Sequence, residues 1–456
     1  MKKYPVPEKI SKFASVFREH GFRLYIVGGA VRDFLLGLPN SDFDFCTDAL
    51  PEQVMGIFRS VIPTGIKHGT VTVLFKGNSF EVTTFRTEGS YSDSRHPDSV
   101  TFVRSLEEDL SRRDFTVNAF AADCIDGSIT DLFGGMSDIK KKVIRAIGNP
   151  YERFTDDALR MMRFARFCSK LGFSADSATK QAAAELSYRI ANVSSERIYN
   201  ELSKILMSAK PTVGLRILEE TGILEKILPE LILCRTIEQT KVGSSNVLEH
   251  IYNAVDAAAS CGYGLEVRLA CLLHDIGKPQ TMSVNAYGFL HFYGHEVKSA
   301  VMAADIMKRL KCSNKTIDDV SIIIANHMIK YRSDWTDGAV KRFIRRVGKQ
   351  NISNLFELQL CDRIASDGKS RVEEYDEFIK RIKTVENEPM TVKDLDITGE
   401  DLAAAGIPKS REMGAVLEQL LEMVIDYPTL NHKETLLEQA KYLSSEYRTK
   451  LGCQNL

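Results

Sequence analysis

Short runs rich in β-branched and aromatic residues dominate the first third of the chain. Arg23 to Val27, Val71 to Phe75 and Phe80 to Phe85 alternate with helical stretches and are punctuated by Gly and Pro, a pattern that predicts a mixed head up to about residue 147. From Tyr151 onward apolar residues recur at three- and four-residue spacing, strand-like runs become rare, and breaks fall at Gly172, Gly222, Gly243 and Gly262. The remainder is predicted to be almost all helix, which makes the chain an α+β protein. Polar, turn-rich stretches at Gln239 to Asn246 and Asn387 to Lys393 mark boundaries. They divide the chain into a head over 1–147, a helical neck over 148–240, a His-bearing helical segment over 241–388 and a short helical tail over 389–456.

Composition narrows this picture. A chain of 456 residues, at roughly 100 to 200 residues per domain, folds as several units with ample core. Hydrophobic content of 44% and charged content of 27% exclude disorder, collagen-like repeats and coiled coil. With 60 Lys and Arg against 61 Asp and Glu, the molecule is no polycation, so any nucleic-acid partner must be held by local basic faces. The nine cysteines are scattered and form no Cys-x-x-Cys pair, which suggests neither a disulfide framework nor a thiolate zinc site and fits a reducing cytoplasm. The start, MKKYPVPEKISKFASVF, lacks the apolar run of a signal peptide, and no segment approaches the roughly 20 apolar residues that span a bilayer.

Candidate chemistry begins at Leu24-Tyr-Ile-Val-Gly-Gly-Ala-Val-Arg-Asp33, which reads as a buried strand, a Gly-Gly turn and a helix. Gly28 and Gly29 permit close backbone approach, and the amides at a helix start suit an anionic phosphate, although such a turn also serves as a plain tight connection. In Ser41-Asp42-Phe43-Asp44-Phe45, alternation predicts a strand with Asp42 and Asp44 on one face and the two phenylalanines on the other. A divalent cation bridging the two acids would relieve their repulsion, and an all-oxygen set indicates Mg²⁺, although an Asp-x-Asp taken alone is more often a solvated strand face. A phosphate-seating turn followed by such a pair is what nucleotidyl transfer from a triphosphate requires.

These residues carry a resemblance. Gly28-Gly29-Ala-Val-Arg32-Asp33, Asp42-Phe-Asp44, Arg112-Arg113-Asp114-Phe-Thr-Val-Asn118-Ala, Asp156-Asp157-Ala-Leu-Arg160-Met-Met-Arg163-Phe-Ala-Arg166 and Ser195-Glu196-Arg197-Ile-Tyr-Asn-Glu201-Leu are similar, in order, to the motifs of the class II tRNA nucleotidyltransferases. That family comprises the CCA-adding enzymes and the bacterial poly(A) polymerases. The resemblance implies a head like the catalytic domain of DNA polymerase β, on a small sheet, that adds C and A from CTP and ATP to tRNA 3′ ends. It implies that Asp42 and Asp44 are catalytic and hold Mg²⁺, that Gly29, Arg32 and Arg113 face the triphosphate, and that Asp114 and Asn118 lie near the sugar. Arg113 alone would equally suit an ion pair with Glu107, Glu108 or Asp109. The polar stretch Thr87 to Ser99 reads as a mobile loop, and in the family the matching loop serves the switch from C to A addition.

Asp157 and Arg160 are three apart on a predicted helix and are expected on neighbouring points of one face. A carboxylate accepts from the exocyclic amine of C or A while a guanidinium donates to a ring nitrogen, so the pair admits these bases and rejects U and G without a nucleic-acid template. A solvated salt bridge is the plain alternative. The resemblance implies the base-selecting role, with Arg163 and Arg166 extending toward the nucleotide. It also shows one departure, Asp156 where the family usually has Glu. Glu196, Arg197 and Glu201 are candidates to orient these groups, or to form a structural network.

A second set, His250, His274-Asp275, His295, His327 and Asp362, resembles the HD-family metal phosphohydrolases. Asp275 is expected to bridge two divalent transition metals (Mn, Ni, Fe or similar), with His250, His274 and Asp362 on one and His295 and His327 on the other. His274 and Asp275 are expected at the end of an apolar helix that stops at Gly277. Such a centre activates water to cleave phosphate esters at RNA ends, or only stabilises its domain. Lys341-Arg342-Phe-Ile-Arg345-Arg346-Val-Gly-Lys349 makes a basic helix face suited to an RNA backbone or simply solvated. The favoured reading is thus addition of CCA, or part of it, to tRNA 3′ ends, with a second metal-dependent hydrolytic centre. Partial A or CC addition, poly(A) synthesis, a metal hydrolase with an RNA-binding head, and a nonenzymatic RNA-binding scaffold are the rivals. Neither a membrane nor an obligate protein partner is indicated.

Overall fold

The apolar runs of the head pair into one mixed sheet. The computed structural model describes residues 2–40, 42–88, 100–241, 244–368 and 373–452. Its strands through the head are β1 (Leu24–Val27), β2 (Asp44–Thr47), β3 (Val61–Gly65), β4 (Thr70–Phe75), β5 (Asn78–Thr84), β6 (Arg86–Glu88), β7 (Val100–Phe102), β8 (Phe120–Asp123) and β9 (Ile129–Asp131). Seven of them form a sheet in the order β3-β4-β5-β2-β1-β8-β9, with β1 antiparallel to β2 and β8, and β2 parallel to β5. The strands β6 and β7 form a separate antiparallel pair, and the loop expected between them falls outside the described residues from 89 to 99.

Both faces of the central strands are covered, which is why β1 reads as a continuous apolar run. On one face the helix α1 (Glu8–Glu19) drives Ile10, Phe13 and Phe17 into a core with Ile26, Phe45, Val73, Phe80 and Val82. Phe13 is fully buried, stacked on Phe80 at 4.4 Å between centroids and packed against Phe17, Phe58 and Phe75. On the other face lie Tyr25, Val27, Cys46, Phe85, Leu110 and Ala121, with Leu110 supplied by α3 (Leu106–Ser111), which follows α2 (Gly29–Leu36) in the helix order used here.

The head belongs to a compact unit made of Met1–Glu238, Val255–Arg268 and Asp305–Ser313. Its helical part contains α4 (Pro150–Asp156), α5 (Leu159–Leu171), α6 (Ser195–Leu206) and α7 (Pro211–Glu220). Close approach of α5, α6 and α7 depends on Gly214, where a Cβ would lie 2.8 Å from Ile205 and 3.1 Å from the Ala165 carbonyl. The second unit, Gln239–Ala254, Leu269–Ala304 and Asn314–Leu456, is helical apart from short β pairs. Within it the residues from Leu395 to Ala440 gather a hydrophobic cluster of their own around Leu402, Leu420, Leu421 and Val424.

Three local expectations are corrected. The strand expected from Asp42 begins at Asp44; Asp42 stands before it, and its carbonyl accepts a hydrogen bond from the Asn40 side chain at 2.7 Å. Asp157 is not on a helix with Arg160 but caps the end of α4 in an extended conformation, and α5 starts two residues later. The basic string forms a helix, Asp337–Val347, and the turn after it, and four of its five cations meet acids within the same unit, while Arg346 is exposed. Lys341 pairs with Glu388 at 2.8 Å, Arg342 with Glu422 and Asp426 at 2.6 and 2.7 Å, Arg345 with Glu418 at 2.5 Å, and Lys349 with Glu386 at 3.1 Å. This face joins the tail helix Arg411–Asp426 and is not an open track for an RNA backbone.

Truncation of the central aromatic, Phe13→Ala, should lower stability by roughly 3–5 kcal/mol in chemical denaturation, the usual cost of emptying a buried phenylalanine site.

Candidate functional site

Register explains how the head assembles its site. Pairing of β1 with β2 sets Val27 opposite Asp44, so the carboxylate lies beside the turn where β1 ends. That turn needs glycine: Gly28 has φ 69°, and a Cβ on it would stand 3.1 Å from the Arg113 guanidinium. Asp42 and Asp44 are both exposed and line one cleft of about 850 Å³ with Gly28, Gly29, Arg32, Arg113, Asp114, Asn118, Asp157, Arg160, Arg163 and Arg166. Partial burial and the charge of Asp42 push the Asp44 carboxyl above its ordinary range, partly offset by Arg113. Two neighbouring carboxylates in a cleft form an attractive seat for a divalent cation.

The basic groups are held by carboxylates set behind the cleft. Arg32 is buried and donates to Asp33 at 2.8 Å and to the Asn118 side chain at 2.6 Å. Arg163 donates to Asp114 at 2.8 Å, and Arg166 to Glu201 at 2.6 Å. Asp109, fully buried, accepts from Arg112 at 2.9 Å and from Arg113 at 3.4 Å. Arg113 therefore has both of the expected characters, an ion pair and a place at the cleft wall. Asp114 also receives the Phe115 amide at 2.8 Å and the Asn118 side-chain amide at 3.0 Å. Burial works against its charge, but Arg163 and these hydrogen bonds hold its carboxyl below the usual range.

Asp157 and Arg160 enter the same cleft by a different route from the one expected. The Asp157 side chain accepts the Leu159 amide at 3.0 Å and Arg197 at 2.8 Å, which fixes its plane. Arg160 is buried and donates to the carbonyls of Arg112 and Arg153 at 3.0 and 3.1 Å and to Asp156 at 3.3 Å. Of the three groups expected to orient this pair, Arg197 touches Asp157 and Glu201 holds Arg166, whereas Glu196 is exposed.

Several residues of this site have no role among the expectations drawn from the sequence. Phe167 and Lys170 continue the cleft-facing side of α5, and Arg86, Arg112 and His68 complete the wall. Glu81 lies on β5, whose parallel register with β2 pairs Phe45 with Val82 and so brings Glu81 beside Asp44; the two share a smaller pocket. The alternation in Phe80-Glu-Val-Thr-Thr marks Glu81 as facing away from the core, but strand neighbours are invisible without pairing.

All six residues of the second set converge in the second unit. His250 lies on α8 (Val247–Ser260), and His274 and Asp275 follow α9 (Leu265–Leu273). His295 opens α10 (His295–Arg309), His327 follows α11 (Asn314–Asn326), and Asp362 lies on the helix Ile352–Asp367. The apolar helix thus ends before His274 and not at Gly277. Gly277 admits a close approach, since a Cβ there would lie 2.8 Å from the Ser299 amide and 2.9 Å from the His295 carbonyl.

Nε2 of His250 is 2.9 Å from Asp362 and 3.5 Å from Asp275; Nε2 of His274 and of His295 are each 3.3 Å from Asp275. Ligand atoms of His250, His274 and Asp275 lie within 4.8 Å of one another, as do those of Asp275, His295 and His327. His274, His295 and His327 each set Nδ1 on the carbonyl three residues earlier, at 2.9, 2.8 and 2.7 Å, which turns Nε2 inward. The buried Nε2 of His274 has no hydrogen-bond partner among the described residues. Burial brings His327 down to about 4, so its imidazole is neutral and able to ligate. Although burial opposes its charge, Asp275 is held well below the usual carboxylate range by His274, Lys278 and His295. This donor set fits metal ions shared through Asp275. Lys278, buried and 2.6 Å from Asp275, was not singled out by the sequence reading.

A sheet carrying paired acids beside a glycine turn, joined to an arginine-rich helical wall, defines a polymerase-type nucleotidyltransferase, here with an added HD module. Residues 24–145 match the family described as "Poly A polymerase head domain", residues 172–233 "Probable RNA and SrmB- binding site of polymerase A", and residues 247–367 "HD domain". The CCA-adding enzyme of Ligilactobacillus salivarius is 34% identical over 453 residues, 98% of this chain and 97% of that protein. That of Geobacillus stearothermophilus is 52% identical over 206 residues, 45% of this chain and 51% of that protein. The structure of the Bacillus stearothermophilus CCA-adding enzyme in complex with CTP superposes with a TM-score of 0.73 at 31% identity, covering 99% of this chain and 100% of that one. The chain belongs to the family of CCA-adding enzymes.

Asp114 supplies a test of the buried pairing. Because its folded carboxyl is held below the unfolded value, its contribution is fully present above the unfolded pKa of about 4 and is lost as pH falls through the folded value. Asp114→Ala should therefore cost about 1–3 kcal/mol in urea unfolding at pH 7, where it removes the partner of Arg163 and of the Asn118 side chain. The gap from wild type should narrow in acid; an equal gap at both pH values would contradict the ion pair.

Proposed function

We propose that this protein adds CCA to tRNA 3′ ends without a nucleic-acid template, using CTP and ATP, and that its HD module is a second, metal-dependent phosphohydrolase centre. The observation that carries the first part is the single cleft in which Asp42 and Asp44 face the Gly28-Gly29 turn, Arg32, Arg113, Asp157 and Arg160. Asp42 and Asp44, with Glu81 alongside, are the residues that would hold Mg²⁺, which when bound activates the attacking hydroxyl and neutralises the triphosphate. Gly29 lets the phosphates approach the backbone, and the planar donor groups of Arg32 and Arg113 suit their oxygens. Asp114 and Asn118 stand near the sugar.

Base choice falls to Asp157 and Arg160. With one oxygen on the Leu159 amide and the other on Arg197, the Asp157 carboxylate is oriented and keeps lone pairs for an exocyclic amine. Arg160, anchored to two carbonyls, donates to the ring nitrogen of the same base edge. U and G present a carbonyl where the amine should be and leave two acceptors facing each other, a costly arrangement in a partly buried site. Arg163 and Arg166 extend this wall toward the nucleotide.

In the HD module, His250, His274, Asp275, His295, His327 and Asp362 would hold divalent transition metal ions, which supply an activated water for phosphate-ester cleavage at RNA ends. The inward Nε2 atoms and the buried Asp275 between the two ligand groups support this reading. The scattered cysteines of the sequence, with no Cys-x-x-Cys pair, support a cytoplasmic setting, and no described helix is long and apolar enough to cross a membrane. On this reading the chain divides into head, neck, HD module and tail.

The decisive assay offers tRNAs ending before CCA, after C and after CC, each with CTP, ATP or both. Full CCA addition is expected. A-only, CC-only or unlimited A addition would replace it by one of the related activities. Replacing Asp42 and Asp44 by Ala should lower incorporation at least about 10³-fold, the factor for some 4 kcal/mol of lost transition-state stabilisation, while leaving hydrolysis intact. His274→Ala should do the reverse. It should also abolish the rise in melting temperature that Mn²⁺ or Ni²⁺ gives the wild type.

A further inference from the structure

One ring touches more of the cleft's charge than any role assigned so far explains. On α5, Arg163, Arg166, Phe167 and Lys170 follow one another at helical spacing on the cleft-facing side. The Phe167 ring is 5% exposed, and three guanidinium groups lie over it: Arg166 at 4.2 Å from the centroid, Arg32 at 5.4 Å and Arg163 at 5.6 Å. Two of these come from the neck helix and one from the helix behind the glycine turn. The ring also packs edge-on against Phe115 of the head at 5.7 Å, so its position is set from both sides.

Three cations this close repel one another, and each has its own carboxylate, Asp33, Asp114 or Glu201. Those carboxylates compete with a triphosphate for the same N–H edges. The ring does not, because an aromatic face attracts the flat side of a guanidinium and leaves its in-plane donors free for an anion. We propose that Phe167 is a positioning residue for nucleotide addition, holding Arg32, Arg163 and Arg166 as one array so that seating the triphosphate and presenting the base-selecting wall are coupled. This rests on the proposed function, which assigns these arginines to the incoming nucleotide.

The test replaces Phe167 with phenylalanines bearing one to five ring fluorines, which drain the ring's quadrupole at nearly constant shape, alongside Phe167→Leu and Phe167→Tyr. KM and kcat for CTP and ATP are measured with tRNA ending before CCA and after CC, with equilibrium binding of CTP in Mg²⁺ as a second readout. KM for both nucleotides should rise steadily with fluorine number, by about tenfold at full fluorination, with kcat changed less than about threefold. Phe167→Tyr should retain a low KM and Phe167→Leu should match the fully fluorinated ring. A KM flat across the fluorine series would overturn the proposal and leave Phe167 as packing alone. Wild-type protein that binds and incorporates neither nucleotide would overturn the proposed function, and this inference with it.

Discussion

The pairing of β1 with β2 is the constraint on which the head depends. Val27 opposite Asp44 brings a carboxylate to the end of the strand that turns at Gly28, and β5, parallel to β2, brings Glu81 to the same edge. Strand side chains alternate, so a slip of one residue would send Asp44 into the aromatic core of Phe13, Phe45 and Phe80 and put a phenylalanine in the cleft. Burying a carboxylate among aromatic rings is prohibitive, and the core therefore enforces the register that the chemistry uses.

Around that edge the cleft is strongly basic. Ten of its side chains are Lys or Arg and four are Asp, an imbalance suited to a polyanionic ligand. The excess charge is tolerated because Asp33, Asp109 and Glu201, which do not line the cleft, hold Arg32, Arg112 and Arg166 from behind. Each guanidinium is thereby held in place at the wall of the cleft or just behind it. Donors fixed before the ligand arrives need not reorganise when charge develops, which is the physical basis of electrostatic catalysis.

The second unit solves a different problem, that of placing six ligand side chains from five separate helical neighbourhoods around one buried Asp275. Local geometry contributes much of the answer. Three imidazoles are aimed by carbonyls three residues earlier in their own segments, and the missing side chain at Gly277 lets α10 and His295 come close. Elsewhere in this unit, charges that look available in one dimension are consumed. Lys341, Arg342, Arg345 and Lys349 meet Glu386, Glu388, Glu418, Glu422 and Asp426, so most of a string that resembles an RNA-binding face is a seam between helices.

Much of this molecule is legible in one dimension, and the parts that are not share a cause. The strands, the helical remainder, the glycine turn and the acid pair follow from local periodicity and residue type, whereas the six HD-type ligands are legible only through the ordered motif that resembles the HD family. Asp157 was misplaced because an aspartate at a helix end and one inside a helix have the same spacing to Arg160; the cap is decided by what its oxygens find, here Leu159 and Arg197. Glu81 and Phe167 were passed over because nothing in their own segments says which strand or which arginines will stand beside them. The amino-acid order by itself determined which groups were present and on which side of each element they would project. Only the tertiary structure decided which of those groups meet and which charges remain open to a ligand, because both depend on contacts between residues far apart along the chain.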